Sequence, residues 1–343
     1  MSKQVTMRQI GQLMGVSTVT VSKALGGKDG VSDSVRAQII EKAREMGYQY
    51  TSPVKLLKDG SGQDVGILVA DRFFSDSSFY AALYKRLLQR LNEFFCYGIL
   101  EILYAPDEQE IKLPVMIRSG KVDALIVMGQ VSAEYMQALL STSLPCVFLD
   151  FYTEHADVTS VVSDSVYGAY LLTNHLVRMG HRDIGFVGDI SATSSILDRY
   201  LGYYKSLLQN NIPLHPEWIL PDRGENGLLK EVALPGNMPT AFVCNCDETA
   251  HLLMGQLKRA GYKMPEDVSI VGFDDFLFAR LCNPALTTFQ VDQDGMARAA
   301  VKALIKKLNG QGGHTGRIVI SGHVVYRDSV QDLRTATAQR LNT

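Results

Sequence analysis

Residues 6–26 read TMRQIGQLMGVSTVTVSKALG, and the types and order of these residues are those of two short helices joined by a tight turn. Ile10, Met14, Val16, Val21 and Ala24 have the spacing of inward-facing positions on two crossing helices. Thr6 with Gln9 three residues on makes a capping box for the first helix, and Ser17 stands where the second needs an N-cap. Gly11 permits a close crossing, and Gly15 tolerates the left-handed backbone of a tight turn. Thr18, Val19, Ser22 and Lys23 are then left on the outer face. Their hydroxyls and methyls suit base edges in a major groove, and the ammonium suits phosphate or guanine.

A second set of candidate groups stands at the ends of apolar runs: Asp71, Asp150, Asp189, Asp247, Asp274 and Asp275. Carboxylates at the carboxyl ends of parallel strands are placed where ligands of open α/β sheets bind. Asp247 reads equally as a helix N-cap, Asp275 as a partner for neighbouring backbone, and His181 in MGHR as a helix-end partner. Asp274 and Asp275 are adjacent on one run, so their side chains point to opposite faces and cannot flank a glycosidic bond. P-loop, GxGxxG and HExxH patterns do not occur, and no enzyme is expected. The five cysteines are odd in number and lack CxxC spacing. Cys244 and Cys246 alternate on an apparent strand and so share a face, without a His pair nearby. No metal and no cofactor is expected.

The elements that must carry these groups follow from patterning. Met1 to Lys58 hold nine Lys and Arg against four acids, a net +5, whereas the whole chain is −2 and the rest therefore −7. A basic head on an acidic body fits a nucleic-acid module joined to something else. Hydrophobic residues at 46% and charged residues at 20% fit packed globular domains rather than disorder. The polar N-terminus does not read as a secretory signal. No apolar run reaches the roughly 18 residues of a membrane span, so a cytoplasmic protein is expected.

A third helix is predicted from a Ser32 cap through Val35, Ile39, Ile40, Ala43 and Met46 to Gly47. Residues 51–62 allow about two helical turns, too few to be stable alone. Beyond them, continuous apolar runs at 65–70, 97–103, 124–129, 146–150, 183–189, 241–246 and 268–275 alternate with helical stretches at 79–95, 166–179, 196–210, 247–260 and 295–308. Such alternation means parallel sheets covered on both faces, and the length calls for two doubly wound subdomains. The expected division is a head (1–50), a hinge helix and linker (51–62), a body of two subdomains (63–330) and a polar tail (331–343).

With these motifs in view, the chain resembles the lactose/galactose-repressor (LacI/GalR) family of bacterial transcription regulators over nearly all of residues 5–330. The resemblance rests on GVSTVTVSKAL (15–25) and REMGY (44–48) in the head, and on the placing of Leu57 near the end of the hinge. In the body it rests on VFLD (147–150), HLVRMGHRDIGFVGD (175–189), RYLGYYKSL (199–207), CDETA (246–250), VSIVGFDD (268–275), NPALTTFQVD (283–292) and VVYRDS (324–329), in the family's order. It implies an all-α helix-turn-helix head plus an α/β body like a periplasmic binding protein. It also implies a homodimer on a near-palindromic double-stranded operator, with operator affinity set allosterically by a small effector.

By the same resemblance the DNA-contacting residues are Thr6, Ser17, Thr18, Val19, Thr20, Ser22 and Lys23, with Val54, Lys55 and Leu57 in the hinge. Leu57 takes the place of the residue that wedges into the minor groove. Val54 and Lys55 depart from the family's usual residues there, and Val19 points to a thymine methyl rather than a bidentate hydrogen bond. The effector residues implied are Phe79, Tyr80, Asp150, Arg199, Cys246, Asp247 and Asp274. Arg199 is the strongest of them, because its fork can grip two adjacent oxygens. Cys246 replaces a common asparagine and Gln293 a common aromatic. The expected effector is a sugar, acting as inducer or as co-repressor. The alternative is control by a protein partner or a phosphorylated metabolite, against which stands the small number of cations near Arg199. The tail has no apolar heptads, so a dimer rather than a coiled-coil tetramer is expected.

Replacing the hinge leucine tests the wedge: Leu57→Ala should weaken operator binding while sedimentation still reports the native oligomer. Unchanged affinity in a gel-shift titration removes Leu57 from the minor groove.

Overall fold

In the computed structural model the described residues are 6–25, 30–46, 63–74, 79–154, 158–224, 226–311 and 316–334. Val54, Lys55 and Leu57, and with them the hinge, lie outside these residues. The chain divides into two compact units, Met1–Gly62 and Gln63–Thr343.

The head is built on α1 (Met7–Met14), α2 (Thr18–Leu25) and α3 (Asp33–Glu45). The capping box forms: Gln9 donates its N–H to the Thr6 hydroxyl at 3.4 Å, and Thr6 donates its N–H to Gln9 Oε1 at 2.8 Å. Gly15 ends α1 at φ 65°, a conformation that disfavours any residue with a β-carbon. A β-carbon on Gly11 would stand 2.8 Å from the Val16 carbonyl oxygen, so the turn folds back directly over α1. Ile10, Val21, Ala24, Ile39 and Ala43 form the core, with Met14, Val16 and Val35 packed around it. Ile40, placed on the inner stripe by its spacing, is exposed instead; the inward row is Val35, Ile39, Ala43 and Met46. Arg36 donates to the carbonyls of Lys23 at 3.2 Å and Ala24 at 3.0 Å. It thereby satisfies the otherwise orphan C-terminal end of α2.

The body begins with β1 (Asp64–Ala70), α4 (Phe79–Asn92), β2 (Tyr97–Leu103), α5 (Ala105–Gln109), α6 (Val115–Arg118), β3 (Ala124–Met128), α7 (Ala133–Leu140), β4 (Cys146–Leu149) and β5 (Thr159–Ser163). The chain then crosses into a second lobe of α8 (Ser165–Arg178), β6 (Ile184–Val187), α9 (Ser194–Gln209), β7 (Ile219–Leu220), β8 (Ala241–Cys244), α10 (Asp247–Arg259), β9 (Ser269–Asp274), α11 (Leu277–Leu281) and β10 (Thr287–Gln290). It returns for α12 (Gln293–Leu308), which packs on α4 and the first sheet, and β11 (Gly316–Ile320), then crosses a third time to β12 (His323–Val325).

Two six-stranded sheets result, ordered β11-β5-β4-β3-β1-β2 and β12-β10-β9-β8-β6-β7. Every pairing is parallel except β12 on β10. Strands such as β1 and β3 are buried along almost their whole length because helices cover both faces. Asp164 donates its N–H to the Ile320 carbonyl at 3.0 Å, tying the first crossing between lobes to the third.

Five strands carry no clear sequence signal. β5 and β10 bury Thr and Ser, β7 has two residues, and β11 and β12 close the sheets as edges. The run 241–246 stops as a strand at Cys244, and Cys246 becomes the N-cap of α10. The two cysteines therefore do not share a strand face.

In the second lobe α8 and α9 lie in close contact at Gly202, where a β-carbon would collide with the Val166 carbonyl oxygen. Gly202→Ala should therefore destabilise the body by about 1–3 kcal/mol in urea unfolding. By contrast, Gly255→Ala in α10, where the nearest neighbouring atom is an Arg259 nitrogen at 3.6 Å, should stabilise it by about 0.5–1 kcal/mol. Equal effects at the two sites would contradict this packing.

Candidate functional site

The outer face of α2 carries most of the head residues expected to contact DNA. Ser17 caps the helix, accepting from the Thr20 N–H at 3.0 Å, and its hydroxyl meets that of Thr20 at 2.9 Å. Those two side chains are occupied with the helix start. Thr18 and Val19 are exposed, Val19 at 64%, while Ser22 and Lys23 are half-buried. Thr6 is exposed at the N-terminus of α1, its oxygen committed to the capping box. Of the head's cations, Arg36 is turned inward onto α2 and belongs to its architecture.

In the body, a cavity of about 320 Å³ opens between the two lobes. Phe79, Tyr80, Asp150, Arg199, Cys246, Asp247 and Asp274 all line it. Asp150 follows β4 at φ 68° and Asp274 closes β9 at φ 113°, so both leave their strands at the carboxyl ends. Arg199 projects from the second turn of α9 and is only 6% exposed. Its Nη1 donates to the Asn245 carbonyl at 2.6 Å and its Nη2 to Asp274 Oδ1 at 3.5 Å. Its guanidinium lies 4.0 Å from the centre of the Phe273 ring, and its Nε has no hydrogen-bond partner. From the other lobe, the Tyr80 hydroxyl donates to Asp150 Oδ2 at 2.7 Å.

Burial sets the electrostatics of this chamber. It pushes the Asp274 carboxyl up to about 7, with Arg199 pulling the other way and Asp150 adding to the rise. Asp150 is raised by burial against the opposing pull of Arg199 and of the Tyr80 hydrogen bond. The Cys246 thiol is pushed up to about 12 by burial and then by Asp274. Its sulfur caps α10 by accepting from the Thr249 N–H at 3.4 Å.

The residues differ in how much remains available to a ligand. Asp247 accepts from the Thr288 hydroxyl at 2.6 Å and the Phe276 N–H at 2.9 Å, so both its oxygens already hold the loop behind the chamber together. It is the first residue of α10; the cap is Cys246. Gln293 does not line the chamber, bonding instead to Arg86 and the Phe79 carbonyl. Asp275 is taken up by Arg327 at 2.5 Å and Gln290 at 2.7 Å, and His181 by Thr240 and the Gln331 carbonyl. Asp274 and Asp275 thus face different partners. Among the described residues no group of His, Cys, Asp or Glu is arranged to hold a metal.

Sequence reasoning missed Asn245 and Arg223. Asn245 is fully buried and donates to Asp222 Oδ2 at 2.6 Å, while its Oδ1 has no donor. The sequence reading left it inside the apolar run 241–246, where only its polarity marked it. Arg223 lies in a turn, PDRGENG, that carried no pattern of its own.

Residues 6–50 match the family described as bacterial regulatory proteins, lacI family, and residues 173–330 match the periplasmic binding protein-like domain. The chain is 27% identical over 338 residues to the ribose operon repressor of Haemophilus influenzae, covering 96% of this chain and 99% of that one. It is 26% identical over 344 residues to the HTH-type transcriptional repressor PurR of Histophilus somni, again covering 96% and 99%. The solved structure of the lac repressor dimer bound to operator and the anti-inducer ONPF superposes with a TM-score of 0.64 at 20% identity, over 96% of this chain and 100% of that one.

The raised carboxyl of Asp274 has a definite consequence for stability. In the folded body it keeps its proton to about pH 7, whereas the unfolded chain releases it near pH 4. The folded state thus binds more protons than the unfolded state across that window, so stability falls as pH rises from about 4 to about 7, then levels off. Asp274→Asn should flatten this fall and raise the melting temperature at pH 8. A melting curve whose pH dependence is unaltered in the variant rules out Asp274 as its source.

Proposed function

Because the chain belongs to the lacI family of bacterial regulatory proteins and is a DNA-binding transcriptional repressor, we propose that its cleft reads a neutral carbohydrate that controls operator binding. The observation that carries the carbohydrate reading is the surplus of hydrogen-bond acceptors in the chamber. Asp150 accepts from Tyr80 on one oxygen, and Asp274 has a single long contact to Arg199. Buried acceptors call for donors, and vicinal hydroxyls supply several within the reach of two carboxylates. Arg199, which lines the chamber with its forked nitrogens, is the complementary donor. Phe79 and Tyr80 offer rings, edge to face with centroids 5.5 Å apart, for the apolar face of a sugar.

Charge separates this from a phosphorylated ligand. Asp71, Asp150, Asp247, Glu248 and Asp274 line the chamber against Arg72, Arg199 and Arg223, and Arg72 is already paired with Glu108 at 2.5 Å. Arg199 is likewise engaged by the Asn245 carbonyl and Asp274, so little uncommitted positive charge remains for a phosphate.

The proposed control is a population shift. The sugar binds one arrangement of the two lobes better than another, and the lobes carry that preference to paired heads and hinges on a two-fold operator. Thr18, Val19 and Lys23 read bases, Ser17 and Thr20 hold the start of the recognition helix, and Thr6 and Ser22 face the backbone. Val54, Lys55 and Leu57 enter the minor groove. Asp150, Arg199 and Asp274 take the sugar hydroxyls, Phe79 and Tyr80 its face, and Cys246 and Asp247 shape the wall. The protein acts in the cytoplasm as a homodimer, like the lac repressor dimer on its operator.

Arg199→Lys keeps the charge but loses the fork. It should lower affinity for the sugar that stabilises the wild type by about 10–100-fold in calorimetry, while operator binding in the absence of sugar persists. Full sugar affinity in the variant would place the ligand elsewhere.

A further inference from the structure

Beside the chamber lies a larger space of about 670 Å³, also between the lobes, and Arg72, Phe73, Thr193, Arg223 and Gly227 line both. The chamber is at the small end of ligand pockets, which run from about 300 to 1,000 Å³, and suits one sugar ring. The adjoining vestibule is walled by hydrogen-bonding side chains from both lobes: Gln109 and Glu134 on one side, Asp189, Ser191 and Asn226 on the other. Its cations are the two it shares with the chamber, and Arg72 is neutralised by Glu108. The lining therefore suits neutral hydroxyls and not phosphate. Phe73 runs along the passage, its ring 5.4 Å from that of Tyr80 and covered on one side by the Arg72 guanidinium at 4.9 Å. An aromatic ring bordering both spaces gives a continuous apolar track for two linked sugar rings.

We infer that the ligand of this cleft is a disaccharide, one ring held in the chamber by Asp150, Arg199 and Asp274 and the second lying in the vestibule along Phe73. This rests on the carbohydrate reading above and narrows it to a chain length. Glu134, in the first turn of α7, and Gln109, at the end of α5, line the vestibule and not the chamber, and both are exposed. A tryptophan at either position would intrude on the vestibule from a residue that does not line the chamber.

The test uses full-length protein, thermal shift and calorimetry with glucose, galactose, mannose and xylose, and with cellobiose, maltose, lactose, mannobiose and xylobiose. At least one disaccharide should bind about tenfold or more tighter than either of its constituent rings. In Glu134→Trp and Gln109→Trp, made on different helices so that one misfolded variant does not decide the result, that advantage should vanish while the monosaccharide still binds. A monosaccharide that binds as tightly as its disaccharides, or a disaccharide advantage surviving in both variants, overturns the two-ring inference and leaves the carbohydrate reading standing. Stabilisation by glucose 6-phosphate and by none of the neutral sugars overturns both.

Discussion

A buried guanidinium at the cleft between two lobes is the charge that the candidate site must accommodate. Arg199 cannot shed its charge, and a buried charge is tolerated only when paired and hydrogen-bonded. Its partners come from separate parts of the fold: the carbonyl of Asn245 beyond β8, the carboxylate of Asp274 at the end of β9, and the ring of Phe273 beneath. The helix that carries it is fixed from both lobes. Ser194 donates its N–H to Gln130 of the facing lobe at 2.7 Å, and Asp198, one residue before Arg199, accepts from Tyr152 of that lobe at 2.8 Å. The position of Arg199 therefore depends on how the lobes sit against each other.

The head answers to a different constraint. Its reading helix has eight residues, too few to be stable alone, and it exists because Val21 and Ala24 pack against Ile10, Ile39 and Ala43 and because Arg36 closes its end. Few outward side chains remain for bases, so one head offers limited affinity. A two-fold operator multiplies that affinity only when both heads engage together. Control can then act on the geometry of the pair and leave the recognition helix untouched.

Periodicity made the buried parallel strands legible because helices cover both faces, and continuous apolar runs are what such strands require. Helix caps were equally plain at Thr6 and Ser17, where short polar residues precede apolar runs. Strands stabilised by partners far along the chain were not legible. Thr287 and Thr288 of β10 are buried because Ser329, Arg327 and Asp247 satisfy them, a compensation no local window displays. The same limit applied at the site. Carboxylates after strands stood out, yet Asp247 and Asp275 proved to be committed to Thr288, Phe276, Arg327 and Gln290. Asn245 went unnoticed because its significance lies in an oxygen left without a donor. The hinge, named from resemblance, lies outside the described residues.

In the proposed control, the charges of the chamber supply the energy by which a ligand can favour one lobe arrangement. Asp150 belongs to one lobe and Asp274 to the other, and Asp150 raises the energy of the ionised form of Asp274, with Arg199 as the shared counter-charge. Bringing the lobes together concentrates acceptors that the protein alone does not satisfy. A ligand able to donate to both carboxylates at once, and to receive from Arg199, relieves that cost only when the lobes are close. One that touches a single lobe relieves it equally in every arrangement and shifts nothing, however tightly it binds. On the proposed carbohydrate reading, two-sided hydroxyl recognition is both how the cleft would select its ligand and how that selection would become a difference between conformations, which is the quantity a regulated grip on DNA requires.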